Sequence, residues 1–133
     1  MKAVFADSFY FFALVNVRDP AHAKAAAFVR SYTGRMVTSG WVLTELGDGL
    51  AQPVNRPSFL QTVETLRAEP NVTIVPCSDE LLAAAVELYR QRPDKEWSLT
   101  DCVSFVVMTR EGLTEALTGD HHFEQAGFVA LLK

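Results

Sequence analysis

Short apolar runs alternate along this chain with amphipathic stretches of helical length, and few folds accommodate such an alternation. The first run, at residues 2–6, is apolar after its opening lysine, as expected for a strand covered on both faces. Comparable runs occur at residues 35–38, 72–75, 115–118 and 128–132. Strands separated by helices predict a three-layer α/β/α sandwich around a central, mainly parallel sheet. With 133 residues and no long linker, the chain is predicted to form a single domain over residues 1–133.

Helical spacing and cap residues mark the segments between these runs. Ser8 is expected to cap the first helix, and Pro20 is expected to start the second. Leu43, Leu46 and Leu50 recur at spacings of three and four, which predicts one buried face on the third helix. The sequence predicts helices over residues 9–15, 21–32, 41–51, 58–68 and 81–91, a further helix after Ser98, and a short turn or helix at 121–125.

The composition limits the classes of function. The formal net charge is -4, from 16 acids against 12 Lys and Arg, so bulk positive charge cannot hold a nucleic acid here. Any phosphate must be held by a few placed Arg and Lys side chains and by bound cations. Arg18, Lys24 and Arg35 are candidate phosphate contacts, although ordinary solvated surface is the favoured explanation for each of them. Hydrophobic residues make up 49% of the chain, which favours an apolar surface covered by another subunit.

Cysteine usage and the amino-terminal segment indicate the compartment. Cys77 and Cys102 lack C-x-x-C spacing, so we expect reduced thiols in a cytoplasmic protein. The apolar run up to Val17 is interrupted by Asp7 and is too short to span a bilayer, so no membrane association is expected. The phenylalanines at positions 9, 11 and 12 are assigned to the core or to a subunit contact rather than to base stacking.

Four acids stand in apolar surroundings beside predicted strands or in early helical turns: Asp7, Glu45, Asp101 and Asp120. Asp7 and Asp120 follow strands, whereas Glu45 and Asp101 belong to helices. Sites in open parallel sheets form at the carboxyl ends of the strands, so this fold allows all four acids to converge. Asp48 is the nearest rival of Glu45 for that role.

Asp101 also has a purely local explanation. The run Ser98-Leu99-Thr100-Asp101 fits a capping box, in which Ser98 is the N-cap and the Asp101 side chain, in the first turn, accepts a hydrogen bond from the Ser98 backbone. The residues alone therefore allow two roles for Asp101, as a helix-capping residue or as a carboxylate of the site.

Converging carboxylates need neutralisation. A close pair repels by up to about 4 kcal/mol at an effective dielectric near 20, so such a cluster is protonated, paired or bound to metal. No Lys or Arg adjoins any of the four acids in sequence. Coordination by carboxylates and water suits Mg²⁺ or Mn²⁺. Two such ions can promote the hydrolysis of a phosphodiester bond by water. His22 stands alone and His121 and His122 are expected to point in different directions, so histidine is not predicted to bind the metal.

These residues resemble the motifs of the PIN domain, and more closely those of the VapC toxins of bacterial toxin–antitoxin modules. The resemblance covers essentially the whole chain. It rests on Asp7-Ser8 after the first strand, Thr44-Glu45-Leu46 in a helix, Ser98-Leu99-Thr100-Asp101 before an apolar helix, and Thr118-Gly119-Asp120-His121-His122-Phe123 near the end.

The resemblance implies a metal-dependent endoribonuclease that hydrolyses RNA phosphodiester bonds as the toxin of a type II toxin–antitoxin system. It further implies a homodimer, a cognate antitoxin encoded nearby, and an RNA target such as a transfer RNA or a ribosomal RNA loop. Asp120 is the acid that the resemblance allows to act through water. The implied Mg²⁺ or Mn²⁺ ligands and catalytic acids are Asp7, Glu45, Asp101 and Asp120, with supporting hydroxyls from Ser8 and Thr100.

Two other functions remain open from the sequence. One is a catalytically silent PIN domain that binds RNA or a protein, which an intact set of acids disfavours. The other is a phosphate-accepting signalling domain, which also uses clustered acids and Mg²⁺. That function needs paired acids near the first strand and a lysine after a later one, whereas Asp7 stands alone and the loop after Thr118 has no lysine.

Overall fold

The structure is a computed structural model that describes residues 2–133, and five strands form one sheet within them. Every strand pairing is parallel, in the order β3-β2-β1-β4-β5. The predicted parallel sheet is therefore confirmed. The strands are β1 (Val4–Ala6), β2 (Met36–Ser39), β3 (Val72–Val75), β4 (Glu115–Leu117) and β5 (Val129–Ala130).

Seven helices connect the strands and cover the sheet within residues 2–133, in agreement with the predicted α/β/α sandwich. None of these helices is long and apolar enough to cross a membrane. Both cysteines are free thiols, as predicted. The helices are α1 (Ser8–Val15), α2 (His22–Ser31), α3 (Gly40–Gly49), α4 (Arg56–Ala68), α5 (Asp79–Gln91), α6 (Leu99–Glu111) and α7 (His121–Gln125).

The order of the strands reverses at β1. From β1 the chain moves to β2 and β3 on one side, and later to β4 and β5 on the other. A crevice opens at the carboxyl ends of the strands where such a reversal occurs. Asp7 directly follows β1, and Asp120 comes three residues after Leu117, the end of β4. Two of the four acids therefore lie at this crevice because of the topology.

The core is apolar and aromatic around the central strand. Residues 4–6 of β1 are at most 3% exposed, so both faces of the strand are covered. Phe123 of α7 packs edge-on against Phe105 of α6, with ring centroids 5.0 Å apart. Phe11 is 1% exposed, which confirms its assignment to the core. The predicted apolar face of α3 is also buried: Leu43, Leu46 and Leu50.

Some boundaries differ from the predictions. Helix α1 begins at Ser8 with Asp7 in the N-cap position, so the prediction that Ser8 is the cap was wrong. The Ser8 hydroxyl instead donates a hydrogen bond to Glu45, 37 residues away, a tertiary contact that local propensity does not encode. Helix α3 ends at Gly49, two residues earlier than predicted. Strand β5 covers only Val129–Ala130, shorter than the predicted run at residues 128–132, and pairs with β4 at the edge of the sheet.

Candidate metal centre and active site

Asp7 occupies the position where β1 ends and α1 begins. Its carboxylate is buried, at 5% exposure for the residue, and its Oδ2 accepts a hydrogen bond of 2.9 Å from Thr118 Oγ1. Thr118 directly follows β4 and is fully buried. Since β1 and β4 pair side by side, the sheet itself places this donor against this acceptor and fixes the orientation of the Asp7 carboxylate.

The same threonine also fixes the loop that carries Asp120. Thr118 Oγ1 accepts a hydrogen bond of 3.1 Å from the backbone N–H of Asp120. Asp120 is the N-cap of α7, and its Oδ1 accepts a bond of 2.9 Å from the backbone N–H of His122. One buried hydroxyl therefore links the acid after β1 with the acid after β4.

Glu45 reaches the crevice from α3. It is half-buried, and its Oε1 accepts the hydrogen bond from Ser8 Oγ. Because Ser8 is the first residue of α1, this contact joins α3 to α1 at the mouth of the site. Asp48, the other acid that the sequence allowed here, is exposed and does not line the cavity.

Asp101 fulfils both roles that its sequence left open. Its backbone N–H donates to Ser98 Oγ at 3.0 Å, and its Oδ2 accepts from the Ser98 N–H at 3.1 Å, which completes the capping box. The same Oδ2 lies 3.0 Å from His122 Nδ1. The neighbouring Thr100 does not line the cavity, and within residues 2–133 its hydroxyl makes no hydrogen bond to these acids.

The four acids line one cavity of about 350 Å³. They come from four separate parts of the chain, which are the two strand ends, α3 and α6. Glu96, in the loop before α6, adds a fifth carboxylate. The complete lining is Asp7, Ser8, Phe9, Phe12, Glu45, Glu96, Ser98, Asp101, Asp120 and His122.

The electrostatics of the cavity disfavour four free carboxylates. Burial raises the pKa of Asp7 to about 7; the Asp101 and Glu45 carboxylates add to the rise, and the Thr118 hydrogen bond opposes it. Burial also raises the pKa of Asp101. Within residues 2–133, no Lys or Arg lies within 4.0 Å of any of the four acids. The signalling-domain function, which needs a lysine here, finds no support in this part of the chain.

Helix termini supply part of the missing positive charge. Asp7 and Asp120 hold the N-cap positions of α1 and α7, and Asp101 lies in the first turn of α6. The partial positive charge at a helix N-terminus stabilises a nearby carboxylate or phosphate. These termini favour anions at the crevice but do not provide a full countercharge.

The donor set fits a hard divalent cation. Buried and half-buried carboxylate oxygens without a lysine or arginine partner are the ligands that Mg²⁺ and Mn²⁺ prefer. Asp120, His121 and His122 also offer atoms within 4.8 Å of one another. The Nδ1 atoms of the two histidines lie 3.6 and 3.5 Å from Asp120 Oδ1. The expectation that the histidines point in different directions was therefore wrong, because both rings turn toward the carboxylate that caps α7 and their centroids lie 4.5 Å apart.

The basic residues considered for phosphate binding lie elsewhere. Arg18, Lys24 and Arg35 are not among the cavity-lining residues. Lys24 Nζ donates to the backbone carbonyl of Lys133 at 2.8 Å. Arg18 follows the carboxyl end of α1, whereas the site lies at its amino end. These cations are therefore surface residues at a distance from the acids.

The sequence analysis assigned no role in the site to three residues that belong to it: Thr118, His122 and Glu96. A hydroxyl residue directly after a buried strand, two positions before Asp120, is a signal that points to Thr118. For His122, the signal is its place two residues beyond an acid that caps a helix. Glu96 has no local signal, because its position depends on how the exposed loop before α6 returns to the crevice.

Comparison with known proteins identifies similar chains. Residues 4–129 match the family model described as "PIN domain". The 23S rRNA-specific endonuclease VapC20 of Mycobacterium tuberculosis is 28% identical over 126 residues, which cover 95% of each chain. The crystal structure of Mycobacterium tuberculosis VapC20, described as a Sarcin-Ricin loop cleaving toxin, matches with a TM-score of 0.85 at 27% identity. That match covers 95% of this chain and 96% of the other.

More distant structures share the fold. FitAcB from Neisseria gonorrhoeae matches with a TM-score of 0.67 at 19% identity, covering 96% of this chain and 94% of that one. VapBC2 from Rickettsia felis, bound to a DNA fragment from its promoter, matches with a TM-score of 0.67 at 11% identity, covering 97% of both chains. At these identities the similarity concerns the arrangement of strands and helices alone.

Proposed function

This chain belongs to the PIN domain family, as its motifs predicted, and from this premise we propose that it is a metal-dependent endoribonuclease acting as the toxin of a type II toxin–antitoxin system. The observation that carries the proposal is the convergence of Asp7, Glu45, Asp101 and Asp120 on one cavity. Carboxylates that converge without a lysine or arginine partner need cations to neutralise them. We propose all four as the metal-binding and catalytic acids, supported by the hydroxyl of Ser8. Thr100 was also expected to support them, but its hydroxyl makes no hydrogen bond to these acids within residues 2–133, so this expectation is withdrawn.

Bound divalent cations supply the charge that polarises a phosphodiester and activates water for its hydrolysis. The side chains around the site set the geometry for this chemistry. Thr118 donates to Asp7, Ser8 donates to Glu45, and the Ser98 backbone donates to Asp101. Each of these three acids therefore has a hydrogen-bonded orientation before any substrate arrives. The N-termini of α1 and α6 provide backbone N–H groups and positive dipole ends on the side where an RNA phosphate would approach.

The relatives suggest a substrate and a partner. VapC20 is described as a 23S rRNA-specific endonuclease that cleaves the Sarcin-Ricin loop, and we propose a loop of the large ribosomal RNA as the substrate here. VapBC2 is a structural neighbour, and we propose a cognate antitoxin, encoded nearby, as the protein partner. We also propose a homodimer, which light scattering of the purified protein tests directly.

The experiment is cleavage of bacterial ribosomes and total RNA by metal-free protein to which Mg²⁺ or Mn²⁺ is added. New RNA 5′ ends are mapped by sequencing, with Asp7→Asn as the inactive variant and Asp48→Asn as the matched control outside the cavity. We expect one recurrent, metal-dependent cut in the large ribosomal RNA from the wild type and from Asp48→Asn. Asp7→Asn should yield no such cut.

Other results of this experiment would change the proposed substrate or contradict the proposed catalysis. A recurrent cut in a transfer RNA would retain the ribonuclease and replace the substrate. Equal cleavage by Asp7→Asn, or cleavage that persists in excess chelator, would refute metal-dependent catalysis at this site. RNA binding without cleavage and without a metal requirement would support the silent PIN domain instead.

A further inference from the structure

We infer that His122 is a positioning residue, whose imidazole holds Asp101 in the orientation that a divalent cation needs and is not itself a ligand. The inference rests on the proposed function, because it assigns a role within the same site. His122 is 18% exposed at its side chain and lines the cavity with the acids.

His122 contacts two acids that come from separate elements. Its Nδ1 lies 3.0 Å from Asp101 Oδ2, and its backbone N–H donates to Asp120 Oδ1 at 2.9 Å. The ionised carboxylate that binds a cation can only accept a hydrogen bond, so in that state the proton of this contact belongs to Nδ1. One residue therefore joins the first turn of α6 to the cap of α7.

These bonds assign a different task to each carboxylate oxygen. Asp101 Oδ2 accepts from both the Ser98 N–H and His122 Nδ1, and Asp120 Oδ1 accepts from the His122 N–H. Within residues 2–133, Asp101 Oδ1 and Asp120 Oδ2 receive no hydrogen bond. The arrangement leaves one oxygen of each acid available to a cation.

The backbone of His122 is itself held in place. The next residue, Phe123, is fully buried and packs edge-on against Phe105 of α6. This contact fixes the distance between α7 and α6, so the imidazole reaches Asp101 without moving the helix. A rigidly held donor of this kind is the usual means by which a protein orients a metal-binding carboxylate.

The test uses two amides that differ in where they place the donor. The amide nitrogen of asparagine is attached to Cγ, as Nδ1 is in histidine, whereas that of glutamine extends one atom further. Mn²⁺ binding to metal-free protein is measured by electron paramagnetic resonance of the free ion. We expect His122→Gln to weaken Mn²⁺ binding by about tenfold or more, and His122→Asn to stay within about threefold of the wild type. Glu124→Gln, an exposed position on the same helix outside the cavity, is the matched control.

Two outcomes would overturn the inference. Equal weakening by Asn and Gln would mean that the imidazole itself is a ligand, and no weakening by either would mean that His122 has no role in the site. Thermal unfolding of each variant checks its folding. If His122→Asn does not fold, Mn²⁺ binding is compared between Asp101→Asn and the double variant that also carries His122→Gln. Because His122 is inferred to act through Asp101, His122→Gln should weaken Mn²⁺ binding by less than about threefold in that background. The readout is ion binding, so it stands even if the protein cleaves no RNA.

Discussion

Thr118 and Asp7 lie 111 residues apart in the chain and share a buried hydrogen bond of 2.9 Å between Thr118 Oγ1 and Asp7 Oδ2. The hydroxyl is neutral, so it orients the carboxylate without neutralising it. Burial and the neighbouring acids leave the pKa of Asp7 at about 7, against an ordinary value of 3.8. Without metal, the site therefore takes up a proton near neutral pH.

The first prediction concerns the pH dependence of the metal-free protein. The folded pKa of Asp7, about 7, is above its ordinary value of 3.8. The buried carboxyl therefore contributes its full stabilisation below about pH 4, and this contribution is lost as the pH rises through 7. We expect the free energy of unfolding to fall by a few kcal/mol over this range. In Asp7→Asn most of this fall should disappear, and at pH 8 the variant should be more stable than the wild type. Denaturant unfolding at pH 5 and pH 8 measures both quantities.

Mn²⁺ and Asp48→Asn provide the comparisons for this prediction. Saturating Mn²⁺ should remove most of the pH dependence of the wild type, because a bound cation favours the ionised carboxylate. Asp48→Asn should keep the wild-type slope, since Asp48 is exposed and outside the cavity. Equal slopes for the wild type and Asp7→Asn would contradict the buried, protonated carboxyl.

Thr118→Val tests the buried hydroxyl. Valine keeps the shape of threonine but leaves the Asp7 carboxylate and the Asp120 N–H without their shared partner. We expect a loss of about 1–3 kcal/mol in the free energy of unfolding and weaker Mn²⁺ binding. Thr118→Ser retains the hydroxyl and should recover most of the binding affinity. If Thr118→Ser binds Mn²⁺ no better than Thr118→Val, the packing of the methyl group, and not the hydrogen bond, supports metal binding.

Asp101 allows its two roles to be separated by two substitutions. Asn retains an oxygen that can accept from the Ser98 N–H, whereas Ala removes the capping contact altogether. Both variants should lose RNA cleavage. Asp101→Ala should also be about 1 kcal/mol less stable than Asp101→Asn in metal-free buffer. Calorimetry of the two proteins measures the difference in their free energies of unfolding. Equal values would contradict the capping role of Asp101.

Phe11→Ala tests the assignment of the first helix to the core. Phe11 is 1% exposed, so truncation of its ring should cost about 3–5 kcal/mol. Phe11→Asp should prevent stable folding, because it adds an unpaired charge to the same place. Denaturant unfolding measures the first effect, and normal behaviour of the Asp variant would contradict the burial.

Much of the fold could be predicted because its signals are local. Short, mostly apolar runs mark the strands, and the reversal of parallel strands at β1 brings Asp7 and Asp120 together. The capping box at Ser98 and Asp101 is also visible in the sequence, since its members are three residues apart. Each of these features depends on residues close together in the chain or on a general rule of sheet topology.

The rest depends on distances between elements. Ser8 was predicted to be a cap because serine favours that position, but Glu45 approaches it from another helix and takes its hydrogen bond. His122 was set aside because neighbouring residues were expected to diverge, and its contact with Asp101 depends on how α7 packs against α6, where Phe123 contacts Phe105. No pattern in a single sequence specifies such contacts.

The capping box of α6 has a consequence for how this protein would lose its activity. One carboxylate both begins the helix and faces the site, so a substitution of Asp101 that removes the carboxyl alters folding and chemistry together. Asp7 has no such contact, since its side chain makes no cap hydrogen bond in α1. Among bacteria that survive expression of an active toxin, escape variants at position 7 should accumulate as abundant, folded protein. Those at position 101 that lack a capping side chain should be recovered at lower abundance, and proteolysis would remove them first.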